Sequence, residues 1–448
     1  MKKFNKDKYL KKIKIKRWLN NYSRYLYLGL SCILICTLGV YLAYSKFFVS
    51  KEEVIIRTTV GNFTQDDVVI GAYLDGEYSS TIPGKNDGYV VEKVVCDNDA
   101  TAEWNNDKWG LFTTNLSKRT KCNVYFKKVV SKVPDIIATV DTSGKCPTVN
   151  DDGSVSVTGA EATDGYLCKV KDAYGDSYYF RGNVTNNYVK FADKYWRIVR
   201  INGDGTVRVI YDGTAAHANG ENSSDRQIGT SVFNSSYNDN AYVGYMYGKT
   251  GASTYADAHA NTNNSTIKTY IDNWYKTNIV GTTNEQYLVD NVFCNDRSFA
   301  QNNSGTGTGT VLTYYRWYNG PWESNGYNTK MMLTCPQKND AFTVSDTTNG
   351  NGTLTYPVGL LSTDEIVLAG GWNVSNSGYY LYSGQAWWAS SPYDSRGGAD
   401  VRSVYSGGYA HDYDSVRSTL GVRPVLNLKA EALKYGDGTM NNPYRLTE

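Results

Sequence analysis

The side chains able to do covalent chemistry in this chain are few. Its 448 residues include three histidines, His217, His259 and His411. None sits in an HExxH motif, and no Gly-x-Ser-x-Gly elbow, Walker loop or Gly-x-Gly-x-x-Gly turn opens a helix. Asp and Glu are plentiful, but no pattern singles out a glycosidase pair. Cysteine is the remaining candidate. Cys32 and Cys36 lie in an apolar run and read as small buried side chains. The other six are Cys96, Cys122, Cys146, Cys168, Cys294 and Cys335. An even count in an exported chain favours disulfides, although six cysteines allow 15 pairings. Nearest-neighbour pairing, Cys96–Cys122, Cys146–Cys168 and Cys294–Cys335, is the simplest. Each bridge would close a loop of about 20 to 40 residues and contribute roughly 3–4 kcal/mol before strain. No CxxC pair suggests a zinc cluster. Asn150-Asp151-Asp152-Gly153 lacks the later Glu of an EF-hand and reads as a turn. No catalytic residue, metal ligand or cofactor is therefore assigned.

Recognition chemistry is denser than catalytic chemistry, and it concentrates near the C-terminus. Residues 384–428 open on Trp387 and Trp388 and close on the apolar run Gly421-Val422-Arg423-Pro424-Val425-Leu426-Asn427-Leu428. Between them lie Tyr393, Asp394, Arg396, Arg402, Tyr405, Tyr409, His411, Asp412 and Tyr413. Tyr and Arg dominate binding hot spots, and Tyr gives a large contact area at low entropy cost. These nine residues are the candidate ligand-binding set. Trp387, Trp388, Val422, Leu426 and Leu428 are the frame expected to hold them.

The Trp-Trp…Ser-Pro…Gly-Val-Arg-Pro-Val-Leu pattern resembles the end of a C-type-lectin-like module of bacterial surface proteins. The same kind of module occurs in retroelement-diversified variable proteins and in formylglycine-generating-enzyme relatives. Further matching stretches are Tyr178-Tyr179-Phe180-Arg181-Gly182, Tyr195-Trp196-Arg197-Ile198-Val199-Arg200-Ile201-Asn202-Gly203-Asp204-Gly205 and Ser362-Thr363-Asp364-Glu365-Ile366-Val367-Leu368-Ala369-Gly370-Gly371. Gly436-Asp437-Gly438-Thr439 and Asn442-Pro443-Tyr444 add to it. The resemblance covers roughly residues 146–448. It implies a fold and a binding role. Formylglycine-generating relatives use reactive cysteines, for which only Cys294 and Cys335 qualify by position; a structural bridge is the favoured reading of both. The Glu-Pro-Asn and Gln-Pro-Asp tripeptides of calcium-dependent lectins are missing, and Trp104-Asn105-Asn106 falls in another domain. A lectin-type calcium site is not expected.

Charge and hydropathy set the compartment. Residues 1–24 hold ten basic and one acidic residue, and residues 25–45 carry no charge over 21 positions. That length spans the hydrocarbon core as a helix, with Tyr25, Tyr27, Tyr41 and Tyr44 at the interfaces. The basic side stays cytoplasmic, so the rest lies outside the cell. A cleaved signal peptide, using Ala43-Tyr44-Ser45, is the rival reading. The whole chain is +2, and without residues 1–24 it holds 36 basic and 43 acidic residues, a net of −7. That sign argues against nucleic-acid binding.

The elements that must position these groups follow from pattern. Residues 46–130 read as a small all-β domain, with strands at Val54–Thr59, Val68–Leu74, Tyr89–Cys96, Gly110–Thr114 and Lys121–Lys128 and a core containing Trp104 and Trp109. Residues 131–145 read as a linker. In residues 146–448, Tyr188–Phe191, Tyr195–Ile201 and Thr206–Tyr211 form a meander. Asn264–Thr277 places Ile267, Ile271 and Trp274 on one helical face, and Ser362–Ala369 opens with a Ser362/Glu365 capping box. The long loops 212–262 and 299–330 suit a ligand-facing role. The fold class is α+β: an N-terminal transmembrane helix, a small all-β domain, then a C-type-lectin-like domain with two helices and many short strands. The function expected is a membrane-anchored adhesion or ligand-binding protein whose partner is an unknown protein or glycan outside the cell. A thiol-dependent enzyme of the sulfatase-modifying type and a self-assembling envelope protein are the alternatives.

Overall fold

The computed structural model describes residues 10–17 and 69–447, apart from 86, 98–100, 107, 115–119, 319–329 and 411. The stretches read as a transmembrane helix (25–45) and as a strand (Val54–Thr59) lie outside the described residues. Among the described residues, no helix is long and apolar enough to cross a membrane. The chain is mixed α+β, mostly strand with few helices, and divides into two compact units, Met1–Val129 and Val130–Glu448.

The first unit is built from β1 (Val69–Leu74), β2 (Glu77–Ser79), β3 (Tyr89–Cys96), β4 (Thr101–Asn105), β5 (Gly110–Thr114) and β6 (Lys121–Lys128). Four of these form a sheet in the order β2-β1-β6-β3, with β1 and β6 parallel. Side chains alternate across each strand. One face buries Ala72, Val124 and Phe126 against Trp104 and Trp109, whose rings meet edge-on at 5.3 Å. The Cys96–Cys122 bridge joins directly opposed residues of β3 and β6. A core this small gains most from such a staple.

The second unit begins earlier than the sequence suggests. Helix α1 (Val133–Ile137) lies in the stretch read as a linker, and it buries Val133 and Ile136 in the large core. Ser131 Oγ donates to the Ala430 carbonyl at 2.6 Å, and the Asp141 N–H donates to that of Leu167 at 2.8 Å. Residues 131–145 thus pack with the second unit.

Two sheets carry that unit. The first contains β7 (Gly165–Asp172), β8 (Gly175–Gly182), β9 (Tyr188–Phe191), β10 (Lys194–Ile201) and β11 (Val207–Gly213). The second contains β12 (Thr230–Ser231), β13 (Thr313–Tyr314), β14 (Trp387–Ser395), β15 (Ala399–Val404), β16 (Asp412–Ser415) and β17 (Leu420–Gly421). β18 (Val425–Leu428) returns to the first sheet beside β11, and β19 (Tyr444–Arg445) runs parallel to β9. The orders are β18-β11-β10-β8-β7 and β12-β17-β14-β15-β16, with β13 on β14. β10 and β11 are buried over most of their length, so both faces are covered and the period-2 alternation fades. Helix α2 (Thr266–Asn278) is capped by Ser265 and buries Ile267 and Ile271, while Trp274 packs on Trp196 and Tyr211. Helix α3 (Thr363–Leu368) carries the capping box in full and is buried on every side. The meander and both helices occupy the stretches read from the sequence.

Candidate functional site

β14 anchors the candidate site. Trp387 and Trp388 are both buried, and Trp388 Nε1 donates to the Ser231 carbonyl at 2.9 Å while its ring meets Phe233 edge-on. Val422, Leu426 and Leu428 are buried with them, so the frame named from the sequence is core. Beyond this anchor the strand carries its polar residues. Between Pro392 and Asp394 the pairing slips: Pro392 faces Val401, yet Asp394 faces Asp400. Two steps on β14 match one on β15, which is a bulge. It lets the neighbours Tyr393 and Asp394 point the same way. The β14–β15 turn uses Gly397 at φ +92° and Gly398 packed so close to the Tyr237 ring that a Cβ would lie 2.6 Å from it.

The result is a ladder of rings and charges on one sheet face. Tyr393 and Tyr413 stack at 3.9 Å and 16°. Tyr318 lies 5.1 Å from Tyr393, and Tyr314 stacks on Tyr318 at 3.7 Å. The Arg402 guanidinium sits 4.4 Å from the Tyr393 centroid and donates through Nε to the Trp317 carbonyl at 3.1 Å. Arg396 lies 5.3 Å from the Tyr318 centroid and pairs with Asp394 at 2.5 Å. Arg417 sits 3.8 Å from the Tyr237 centroid. Arginine over an aromatic face is attracted by the ring quadrupole. At the far end of β15, Tyr405 and Tyr409 meet at 90°.

The nine residues named from the sequence divide. Tyr405 and Tyr413 are 52% and 39% exposed, Arg396 is exposed and Tyr409 is half-buried. Tyr393, Asp394 and Arg402 are not displayed; they are 7%, 0% and 0% exposed. The cause is Thr313–Tyr318, which lies over this part of the sheet through β13 and the Trp317 carbonyl. His411 lies outside the described residues. Asp412 enters β16, but its side chain is not among those described. Sequence reasoning missed Tyr314, Tyr318, Asp400, Tyr237 and Arg417. Asp400 had a signal, since it alternates with Arg402 on one strand. Tyr314 and Tyr318 stand in the aromatic run Thr313-Tyr314-Tyr315-Arg316-Trp317-Tyr318, inside a loop already read as ligand-facing.

The sheet is held by buried charge. Glu365 Oε1 meets Arg208 Nε at 2.6 Å and Arg200 Nε at 3.3 Å. Burial alone would raise this carboxyl, but the two guanidinium groups outweigh it and hold it below its ordinary value. Arg316 bridges Asp296 and Asp364, and Arg226 and Arg423 both bond Asp212 at 2.8 Å. Paired and hydrogen-bonded charge is the form in which buried ions are tolerated.

The cysteines form three bridges: Cys96–Cys122, Cys146–Cys168 and Cys294–Cys335, with S–S distances of 2.00, 2.08 and 2.04 Å. The nearest-neighbour pairing is the one observed, and Cys294 and Cys335 hold no free thiol in this state. Among the described residues, no group of three His, Cys, Asp or Glu side chains converges as a metal site. A separate groove of about 690 Å³ runs between the Asn150–Gly153 turn and β7, lined by Lys169, Lys171, Asp152 and Asp176. Lys169 pairs with Asp176 at 2.6 Å within it, and Asp152 pairs with Lys330 at 2.7 Å.

Over residues 327–430 the chain is similar to a family described as a domain of unknown function, DUF6273. That stretch includes α3 and β14 through β18, so it holds the frame and most of the ladder. No curated protein and no solved structure matches the chain.

Proposed function

We propose that this chain is a membrane-anchored, surface-displayed ligand-binding or adhesion protein, with a C-type-lectin-like second unit that binds through its C-terminal face. The observation that carries this reading is the ladder. Tyr413 on β16, Arg396 at the β14–β15 turn, and Tyr405 and Tyr409 just past β15 reach solvent from a sheet whose core is fixed by Trp387 and Trp388. Rigid aromatic and Arg groups on a preorganised support lose little entropy on binding. The buried members, Tyr393, Asp394 and Arg402, position the exposed ones. The partner is a protein or glycan outside the cell. Disulfides suit an exported chain, and the uncharged segment 25–45 supplies the anchor.

The test uses cells displaying the full chain against arrays of glycans and extracellular proteins. Capture of a ligand that Tyr405→Ser or Arg396→Ala abolishes, with surface level unchanged, supports the reading. Capture that survives both changes places the binding surface elsewhere.

A further inference from the structure

We propose that Asp394 and Asp400 act as a proton-sharing carboxyl pair, a pH-sensitive clasp that fastens β14 to β15 beneath the tyrosine ladder in mildly acid solution and loosens them as pH rises. The link to ligand capture rests on the binding reading above; the clasp itself does not.

The geometry carries it. Asp394 and Asp400 are direct partners across an antiparallel pair, and the bulge at Tyr393 turns both toward one face. Asp394 is fully buried and Asp400 half-buried. Direct partners across an antiparallel pair hold their Cβ atoms about 4.5–5.5 Å apart, near enough for the two carboxyls to share one proton. Without that proton, two like charges stand directly opposite in a strand pair, a destabilising arrangement made worse by burial.

The surroundings do not neutralise both. On β14, Arg396 pairs with Asp394. On β15, Arg402 is committed to the Trp317 carbonyl and the Tyr393 ring. On β16, Asp414 adds a further negative charge; its Oδ2 accepts from Ser403 at 2.8 Å, and Tyr413 lies alongside. The Thr313–Tyr318 segment contributes Tyr314 and Tyr318, and its Arg316 is held by Asp296 and Asp364. At the turn, Arg417 stacks on Tyr237. The 3₁₀ turn Asn240–Val243 packs on both strands, and the Asp239 carboxylate before it is taken by the N–H groups of Ala241 and Gly251. Among the described residues, one guanidinium therefore serves two carboxyls.

Burial pushes the Asp394 carboxyl up to about 7 despite Arg396, and burial raises Asp400 as well. The folded pair thus keeps a proton that an unfolded aspartate loses near pH 4. The stability this proton contributes is present in acid, declines as pH climbs from about 4, and is gone above about 7.

Hydrogen exchange of the full chain in detergent, corrected for the intrinsic rate at each pH, tests the clasp without any ligand. Peptides spanning 387–404 should exchange on the order of ten-fold faster at pH 8 than at pH 5.5, the change expected for a proton lost over this interval. Asp400→Asn gives Asp394 a permanent donor and should abolish the difference, as should Asp394→Asn. Asp414→Asn should keep it. Equal exchange at both pH values in the native chain overturns the proposal, and so does a pH response that persists in both pair variants. If ligand capture survives both Tyr405→Ser and Arg396→Ala, the proposed binding face fails while the clasp still stands on the exchange data.

Discussion

Glu365 performs three tasks with one carboxylate. It accepts the Ser362 N–H at 3.0 Å to complete the capping box, and it neutralises Arg200 and Arg208 from the first sheet. Glu365→Gln keeps the shape but leaves two buried guanidinium groups short of charge. Breaking a buried pair in this way costs about 3–5 kcal/mol, which should show as a lowered denaturation midpoint with an unchanged slope. His217 is a second residue whose state decides a contact. Its Nδ1 lies 2.8 Å from Glu221 and its Nε2 lies 3.0 Å from Asp225. Only the doubly protonated ring can donate to both carboxylates. Burial pulls its pKa down, but the bonds to Asp225 and Glu221 outweigh burial and raise it above the ordinary histidine value. Its contribution to stability is therefore complete below about pH 6.5 and is lost as pH rises through the raised value. The stability gap between the native chain and His217→Asn should be larger at pH 5.5 than at pH 8.5, measured by thermal unfolding at each pH. Such residue-scale facts were mostly illegible in the sequence. Nothing in the spacing of Glu365 and Arg208 reveals that they meet, because the contact crosses 157 positions. Asp394 and Arg402 read as display residues for the same reason: the segment that buries them is distant in sequence.

Elements were more legible than contacts, because their signals are local. The capping box at Ser362 and the Ile267/Ile271 face of α2 each declare themselves within a dozen residues. The linker reading of residues 131–145 failed because a five-residue helix with two buried side chains leaves too little periodicity to detect. The buried and exposed positions of this sheet give a contrast to measure. Trp388→Ala removes a fully buried ring with a satisfied N–H and should cost about 3–5 kcal/mol. Tyr405→Ser, at a site 52% exposed, should change stability by no more than about 0.5 kcal/mol. Tyr413 is intermediate, since its stack on Tyr393 is worth about 0.5–1.5 kcal/mol beyond its area. A Tyr405 change that unfolds the unit while Trp388→Ala is silent would reverse the assignment of frame and display.

At the scale of the whole molecule, each unit has its own core and its own bridges. Cys96–Cys122 staples the first, and Cys146–Cys168 and Cys294–Cys335 staple the second. The pairing followed from sequence because short loops close first, whereas the sheet that brings Cys96 opposite Cys122 did not need to be known. Bridges of this kind persist outside the reducing cytoplasm, the side on which the proposed anchoring puts both folded units. In the proposed reading, ten basic residues ahead of 21 uncharged ones keep the charged end in the cytoplasm while the chain beyond residue 45 is exported. Protease added to intact cells should therefore degrade both units and spare a short N-terminal fragment containing residues 1–24, detected with an N-terminal epitope tag. A soluble product in the medium beginning near Lys46 would show instead that the apolar run is cleaved. A full-length chain protected until the cells are lysed would place the units inside, against the three bridges, and would remove the adhesion reading with the anchor.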